Sequence, residues 1–367
     1  MKIGVDAAAL LDRSAGVKNY LFYWTHALRS LGADIRLFPF LPLPEVLNHD
    51  GSSVSVFGTR TRIGLITLLN LHSNPAVSLL AGKLDVFHAA AVLYPPRLAK
   101  LTATIHDLTC WLLPEMHTDA NRAATLRFAQ HVWKRADGLI AVSEHTRRDA
   151  IRLLDLDPAR IEVIHHGVAD VFRHPHKDDI SRVREQYALR RPYALFVGAI
   201  EPRKNIDMLL SAWAAQRPDV REEFELVLAG PHGWAPAATF ARMQSTAGTR
   251  YLGYVPESDL PGLVAGATVF VYPSLYEGFG LPVAEAMAAG VPVIASDTSC
   301  LPEIAADAAM LVDPHSSASW CSAMDRMLSS PDLRNRLAQA GETRAVRYSW
   351  ADNARRSIHF FERIAGA

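Results

Sequence analysis

Short runs of β-branched and aliphatic residues alternate along the chain with longer stretches in which apolar residues recur at helical spacing. The short runs lie at 2–5, 34–38, 86–89, 101–105, 138–141 and 161–164, and again at 193–197, 225–229, 269–271, 293–295 and 310–312. A short apolar run is how a buried strand reads, and regular alternation of strand and helix predicts parallel sheets covered by helices. The class is α/β, with two sheets. Between the two sets, 168–186 is polar and carries Pro175 and several charges, the composition of a surface linker. The pattern therefore predicts a first unit over 1–175, a second over 185–347 and a tail at 348–367. Within the tail, 350–364 reads as one amphipathic helix with Ile358, Phe361 and Ile364 on one face.

A length of 367 residues agrees with two units at roughly 150 residues each. Lysine plus arginine equals aspartate plus glutamate at 38 each, so the total charge proposes neither nucleic acid nor an acidic polymer, and any anion site must be local. Cys110, Cys300 and Cys321 form no CxxC pair and leave an odd thiol, as expected in a reducing, cytoplasmic compartment. Met1-Lys2 leads straight into a strand, which predicts no secretory leader, and no window approaches the ~18 apolar residues of a membrane span.

Candidate chemistry concentrates in the second half. Tyr276-Glu277-Gly278-Phe279-Gly280-Leu281-Pro282 follows a predicted strand and opens a helix that contains Glu285. The glycines allow close backbone approach, Pro282 suits a first turn, and the amides of Phe279, Gly280 and Leu281 would stand at the positive helix end. That is an anion site suited to a diphosphate. Glu285 is placed on the first turn of the helix and Glu277 on the loop, where carboxylates can accept hydrogen bonds from sugar hydroxyls. The second segment, Val197-Gly198-Ala199-Ile200-Glu201-Pro202-Arg203-Lys204-Asn205, sets two adjacent cations before a helix, where they oppose its dipole. Such a pair can stabilise a departing nucleoside diphosphate without a metal.

These two segments, in this order, resemble the group 1 glycosyltransferases, retaining enzymes of the GT-B fold. Gly253-Tyr254-Val255-Pro256 and the run from Pro292 through Glu303 resemble neighbouring blocks of the family. The resemblance implies two Rossmann-like domains with parallel sheets facing across a cleft, the terminal helix crossing back to the N-terminal domain. It implies an acceptor-binding first domain and a nucleotide-sugar-binding second one. Arg203 and Lys204 would contact the donor diphosphate, Glu285 the ribose, and Glu277 the transferred sugar. Phe279, Gly280 and Leu281 would serve sugar and phosphates, the backbone at Tyr254 and Val255 would frame the base, and Gly198 is counted with the donor-binding residues. In the first half, His106 ends a predicted strand, where α/β ligands bind, and a histidine there in the family approaches the donor sugar. Gly16, in Ser14-Ala15-Gly16-Val17-Lys18-Asn19-Tyr20, corresponds to a family loop richer in glycine.

The function expected is retaining transfer of a hexose to a hydroxyl of a glycan or glycolipid in surface polysaccharide synthesis. GDP-mannose is the first donor expected and UDP-hexose the second, with no cofactor and no metal. The alternative is a catalytically silent protein of the same fold that binds nucleotide-sugar or glycan. A nicotinamide oxidoreductase is disfavoured, because neither Val5-Asp6-Ala7 nor Val197-Gly198-Ala199 begins a GxGxxG turn. Asp155-Leu156-Asp157 reads as turn capping, and His165-His166-Gly167 as a cleft-lining or hinge segment. Finally, 60–69 joins a basic start to an apolar helical stretch, as does 122–135, and both are candidates for peripheral contact with the cytoplasmic membrane face, with core packing the alternative.

Overall fold

The computed structural model describes residues 1–11, 16–47, 52, 54–70, 82–96 and 99–366. The chain forms two compact units, Met1–Gly167 with Ser349–Ala367, and Val168–Tyr348.

The first unit holds β1 (Lys2–Asp6), β2 (Asp34–Phe38), β3 (Val86–Ala89), β4 (Lys100–Ile105), β5 (Gly138–Ala141) and β6 (Ile161–Val163) in the order β2-β1-β3-β4-β5-β6. All the pairings are parallel. Alternate residues of a strand face opposite sides of a sheet, and the cores divide accordingly. Ile3, Val5, Val86 and Ile140 belong to one buried cluster, Phe87, Ala103, Ile105 and Leu139 to the other. At the end of β1, buried Asp6 accepts the backbone N–H groups of Ala90, Ala91 and Val92 on one oxygen at 3.0, 2.5 and 2.7 Å, fixing the loop that leaves β3.

The terminal helix, Trp350–Ala365, packs on this unit against the helix Gly16–Ser30. Trp24 Nε1 donates to Ser357 Oγ at 3.1 Å, and Asn353 Nδ2 to the carbonyl of His165 at 2.6 Å. Its inward face is wider than the expected one: Phe361 is buried and Ile358 and Ile364 pack half-covered on the same core, but Asn353, Ala354, Ser357 and Phe360 are buried as well. The small polar residues face inward because Trp24 and the His165 carbonyl supply partners for them. A Cβ on Gly138 would stand 2.6 Å from Ile364 Cδ1 and 2.8 Å from Phe360 Cζ, so glycine there permits the close approach.

The second unit holds β7 (Tyr193–Val197), β8 (Glu225–Ala229), β9 (Thr249–Gly253), β10 (Val269–Tyr272), β11 (Val293–Ser296) and β12 (Ala309–Val312) in the parallel order β12-β11-β10-β7-β8-β9. β9 escaped the sequence pattern because it is a half-buried edge strand, with polar Thr249 and Arg250 in place of an apolar run. The 168–186 segment is no linker. It belongs to the second unit, with Phe172 fully buried and a helix at Lys177–Gln186 whose Val183 faces inward, while the outer face carries the charges that suggested a surface crossing.

Candidate active site

The carboxyl ends of parallel strands share one edge of a sheet, and in the second unit three loops meet there. After β7 the chain passes through Gly198 into a 3₁₀ turn, Pro202–Lys204, and Asn205 enters the left-handed region at φ 59° before the helix Ile206–Ala214. Asn205 Nδ2 donates to the carbonyls of Pro273 at 3.2 Å and Pro314 at 2.7 Å, and the N–H of Leu275 donates to the Arg203 carbonyl at 2.9 Å. These bonds knit the β7 loop to the loops that follow β10 and β12. Gly198 has its own steric reason: a Cβ would come to 3.0 Å from the Phe196 ring and 3.7 Å from the Lys204 stem.

Arg203, Lys204 and Glu277, read from the sequence as two separate signals, form one buried cluster. Arg203 Nη1 lies 2.8 Å from Glu277 Oε2, and Lys204 Nζ lies 2.6 Å from Oε1. Arg203 also pairs with Glu201 at 2.6 Å and donates to the Tyr276 carbonyl at 2.6 Å. Lys204 donates to the Tyr272 hydroxyl at 2.8 Å. Glu277 is positioned from behind, its N–H donating to Ser299 Oγ at 3.0 Å. Burial by itself would push the Glu277 carboxyl up, but the two cations outweigh it and hold the group at about 2. Lys204 moves down, because burial and the like charge of Arg203 exceed the help from Glu277 and Glu201. The carboxylate is thus firmly charged, and the ammonium is the strained member. Glu201 and Tyr272 were not assigned roles from sequence; Glu201 stands beside the cations in the motif, but nothing local signals that its carboxylate turns inward.

After Glu277, Gly280 adopts φ +80° and caps the helix Leu281–Ala288, so the chain enters the helix through a conformation that favours glycine. Phe279 is buried with its ring edge-on to Tyr348 at 5.4 Å. Glu285 is the fifth residue of this helix, on its second turn rather than the first. It is buried, and its carboxyl is pushed well up by burial and then by the neighbouring Glu257. A buried carboxyl beside a second carboxyl and short of cations suits hydrogen bonding to hydroxyls better than binding phosphate. Val255 is buried and Tyr254 half-buried, just past the end of β9.

In the first unit His106 follows β4, half-buried, with its ring 4.9 Å from that of Tyr20 and 5.7 Å from that of His166. Burial lowers its pKa to about 4 against a smaller opposing effect of Asp107, so the ring is neutral at neutral pH. Asp107 is a turn residue, as expected, accepting from the N–H and hydroxyl of Thr109 at 3.1 and 2.7 Å. Asp157 accepts the Ala159 N–H at 2.9 Å in the same capping manner. His166 is buried among aromatic rings rather than lining an open surface. Gly16 is the first residue of its helix, and a Cβ there would meet nothing within 4 Å among the described residues. Ser14 and Ala15 lie outside the described residues.

Comparison with known proteins places these features in context. The family model "Glycosyl transferases group 1" matches residues 178–344, and "Glycosyltransferase Family 4" matches 14–171. The O-antigen chain mannosyltransferase B of Escherichia coli is 32% identical over 283 residues, covering 76% of this chain and 74% of that one. The phosphatidyl-myo-inositol mannosyltransferase of Mycobacterium leprae is 27% identical across 100% of this chain and 97% of its own. Among solved structures, Anabaena HepE in complex with UDP and glucose superposes with a TM-score of 0.74 at 19% identity over 100% of both chains, and has the same fold.

Proposed function

Because this chain belongs to the group 1 glycosyltransferases, we propose that it moves mannose from GDP-mannose to a hydroxyl of a glycan or lipid-linked acceptor in surface polysaccharide synthesis, with retention of configuration. It is a hexosyl-transferring enzyme of the GT-B fold. The names of the Escherichia coli and mycobacterial relatives support mannose, and the UDP held by HepE makes a UDP-hexose the second donor.

The observation that carries the reading is the nearly dry cluster of Arg203, Lys204 and Glu277 beside the glycine-capped helix at Gly280. As the anomeric bond breaks, its electron pair passes to the phosphate oxygen, and charge accumulates on the diphosphate. Arg203, Lys204 and the amides of Phe279, Gly280 and Leu281 are the groups proposed to stabilise it. Glu277 holds the cations and stays ionised, so it is a poor proton acceptor at neutral pH. The acceptor hydroxyl then attacks from the face of the leaving group and gives its proton to the departing phosphate oxygen. Glu285 is assigned to the ribose hydroxyls, Tyr254 and Val255 to the base, and neutral His106 to the transferred sugar. With two cations serving the leaving group, the transfer proposed needs no metal.

The test is a thermal-shift titration with GDP, UDP, ADP and their sugar conjugates, followed by NMR of the product anomer. At a hundred times its dissociation constant a bound nucleotide adds about 2.7 kcal/mol, which is readily seen. Stabilisation by GDP compounds, abolished in Arg203→Ala/Lys204→Ala, and a product anomer matching the donor are expected, with activity unchanged by a chelator. No nucleotide effect with or without acceptors would favour a silent glycan-binding protein, and an inverted anomer would overturn retention.

A further inference from the structure

Resting on the reading of this chain as a transferase that acts on glycans, we infer that the loop 230–236 of the second unit is a subsite for a pyranose ring of the acceptor, with Trp234 as its stacking surface. Among the described residues of that unit, every tryptophan, phenylalanine and tyrosine is buried or half-buried except Trp234, which is 45% exposed. An indole left outside the core recovers its apolar burial only when something covers its face. It stands after the carboxyl end of β8, the edge at which α/β sheets take their ligands. The loop adjoins the one that carries Arg203 and Lys204, because β7 and β8 run side by side and end together at Val197 and Ala229.

The backbone that presents Trp234 is fixed on both sides. The N–H of Ile200 donates to the Pro231 carbonyl at 3.1 Å, and that of Ala235 to the Ile200 carbonyl at 3.2 Å. Towards β9, the N–H of Gly230 donates to the Gly253 carbonyl at 2.7 Å and the Tyr251 hydroxyl to the Gly230 carbonyl at 3.0 Å. Gly230, at φ +147°, and Gly233 permit these approaches, since a Cβ on them would run into the carbonyls of Gly198 and Ile200 respectively. A loop held in this way spares a ligand the entropy of ordering it. His232, also exposed, adds a second flat ring two residues from Trp234, stacked on Phe240 with centroids 3.7 Å apart and planes 2° from parallel. Its Nδ1 lies 3.0 Å from the Gly233 carbonyl, which can only accept, so Nδ1 carries the proton and Nε2 is an acceptor for a sugar hydroxyl. From Gly230 to Ala238 the sequence GPHGWAPAA holds no aspartate, glutamate, lysine or arginine, which suits a neutral ring better than a phosphate. A pyranose has that character, with C–H groups for the aromatic face and hydroxyls for His232 and water. The nucleobase, the other flat partner of an indole, is assigned to Tyr254 and Val255 past β9, which leaves Trp234 to the acceptor.

The experiment measures binding of α-mannotriose, maltotriose and cellotriose to the full chain by titration calorimetry and saturation-transfer NMR, with and without GDP. At least one trisaccharide should bind the wild type, with saturation strongest at ring C–H protons. Trp234→Ala should weaken that binding about tenfold, and Trp234→Phe, which keeps an aromatic face, about threefold or less. Both variants should keep the wild-type thermal response to nucleoside diphosphate, which shows the fold and the donor site intact. In transfer assays Trp234→Ala should raise the KM for a saccharide acceptor and leave the donor KM as it was. A wild type that responds to nucleotide but binds none of the three trisaccharides would overturn the inference alone, whereas one that responds to neither would overturn the function on which it rests as well. Trp234→Ala that binds saccharide like the wild type, or that loses nucleotide affinity instead, would also overturn it, the latter by assigning the loop to the nucleobase.

Discussion

Glu277 neutralises two cations at once, so its replacement by glutamine tests the arrangement of the whole site. The variant keeps the shape but leaves Arg203 and Lys204 as like charges with Glu201 alone to offset them. At an effective dielectric near 20, unit charges about 4 Å apart interact by about 4 kcal/mol, and removing one member of a buried pair costs about 3–5 kcal/mol. The fall of the Glu277 pKa from 4.5 to about 2 gives a similar figure, about 3 kcal/mol at ~1.4 kcal/mol per unit. The Lys204 pKa also falls, which for an ammonium disfavours the charged form, so part of the gain at Glu277 only offsets the burial of the ammonium, and the pair as a whole contributes less than the carboxylate figure. Lys204 can also shed its proton in the variant, which holds the loss near the lower end, about 3 kcal/mol. A bound nucleoside diphosphate would restore the missing negative charge. It should therefore stabilise Glu277→Gln more than wild type, while transfer activity falls. Urea unfolding of wild type, Glu277→Gln, Lys204→Met and the double variant, with and without nucleoside diphosphate, measures each term. The double variant should cost less than the sum of the single ones by more than about 1 kcal/mol. A Glu277→Gln loss within about 0.5 kcal/mol of zero, or a strictly additive cycle, would refute the reasoning.

Because the Glu277 pKa is depressed in the folded state, its contribution is present above the unfolded value and disappears as pH falls from 4.5 towards about 2. Acid titration followed by circular dichroism should show wild type and Glu277→Gln converging in stability across that window. Glu285 has the opposite sign: its folded pKa is raised, so the unfolded chain releases the proton first and stability is lost as pH rises above the ordinary carboxylate range. Glu285→Gln should then match or exceed the wild-type melting temperature at neutral pH and yet bind nucleoside diphosphate about tenfold or more weakly, by titration calorimetry. In the first unit, Asp6→Asn would turn an amide N–H₂ or a single carbonyl towards the N–H groups of Ala90, Ala91 and Val92, and a loss of about 3 kcal/mol in chemical unfolding is expected.

The division into two parallel sheets was legible in the sequence because strand and helix periodicities are local, and so was the terminal helix. The glycine-entered helix at Gly280-Pro282 and the turn carrying the adjacent cations Arg203 and Lys204 were legible for the same reason, since each carries its signal within a few residues of chain. The pattern failed where an element is half-exposed. β9 lacks an apolar run because one edge of it is unpaired, and the helix Lys177–Gln186 resembled a linker because it buries little besides Val183. Neither the polar part of the terminal helix's inward face, Asn353 and Ser357, nor the pairing of Glu277 with Lys204, 73 residues away, could be read from local pattern. Tertiary structure decided these: β7 and β10 are neighbours in the sheet although β8 and β9 lie between them in the chain, and that adjacency brings cations and carboxylate into one dry cluster. Sequence chooses the side chains and their local backbone, but charge pairing in a low dielectric depends on which strands lie side by side, and that is settled only when the sheet forms.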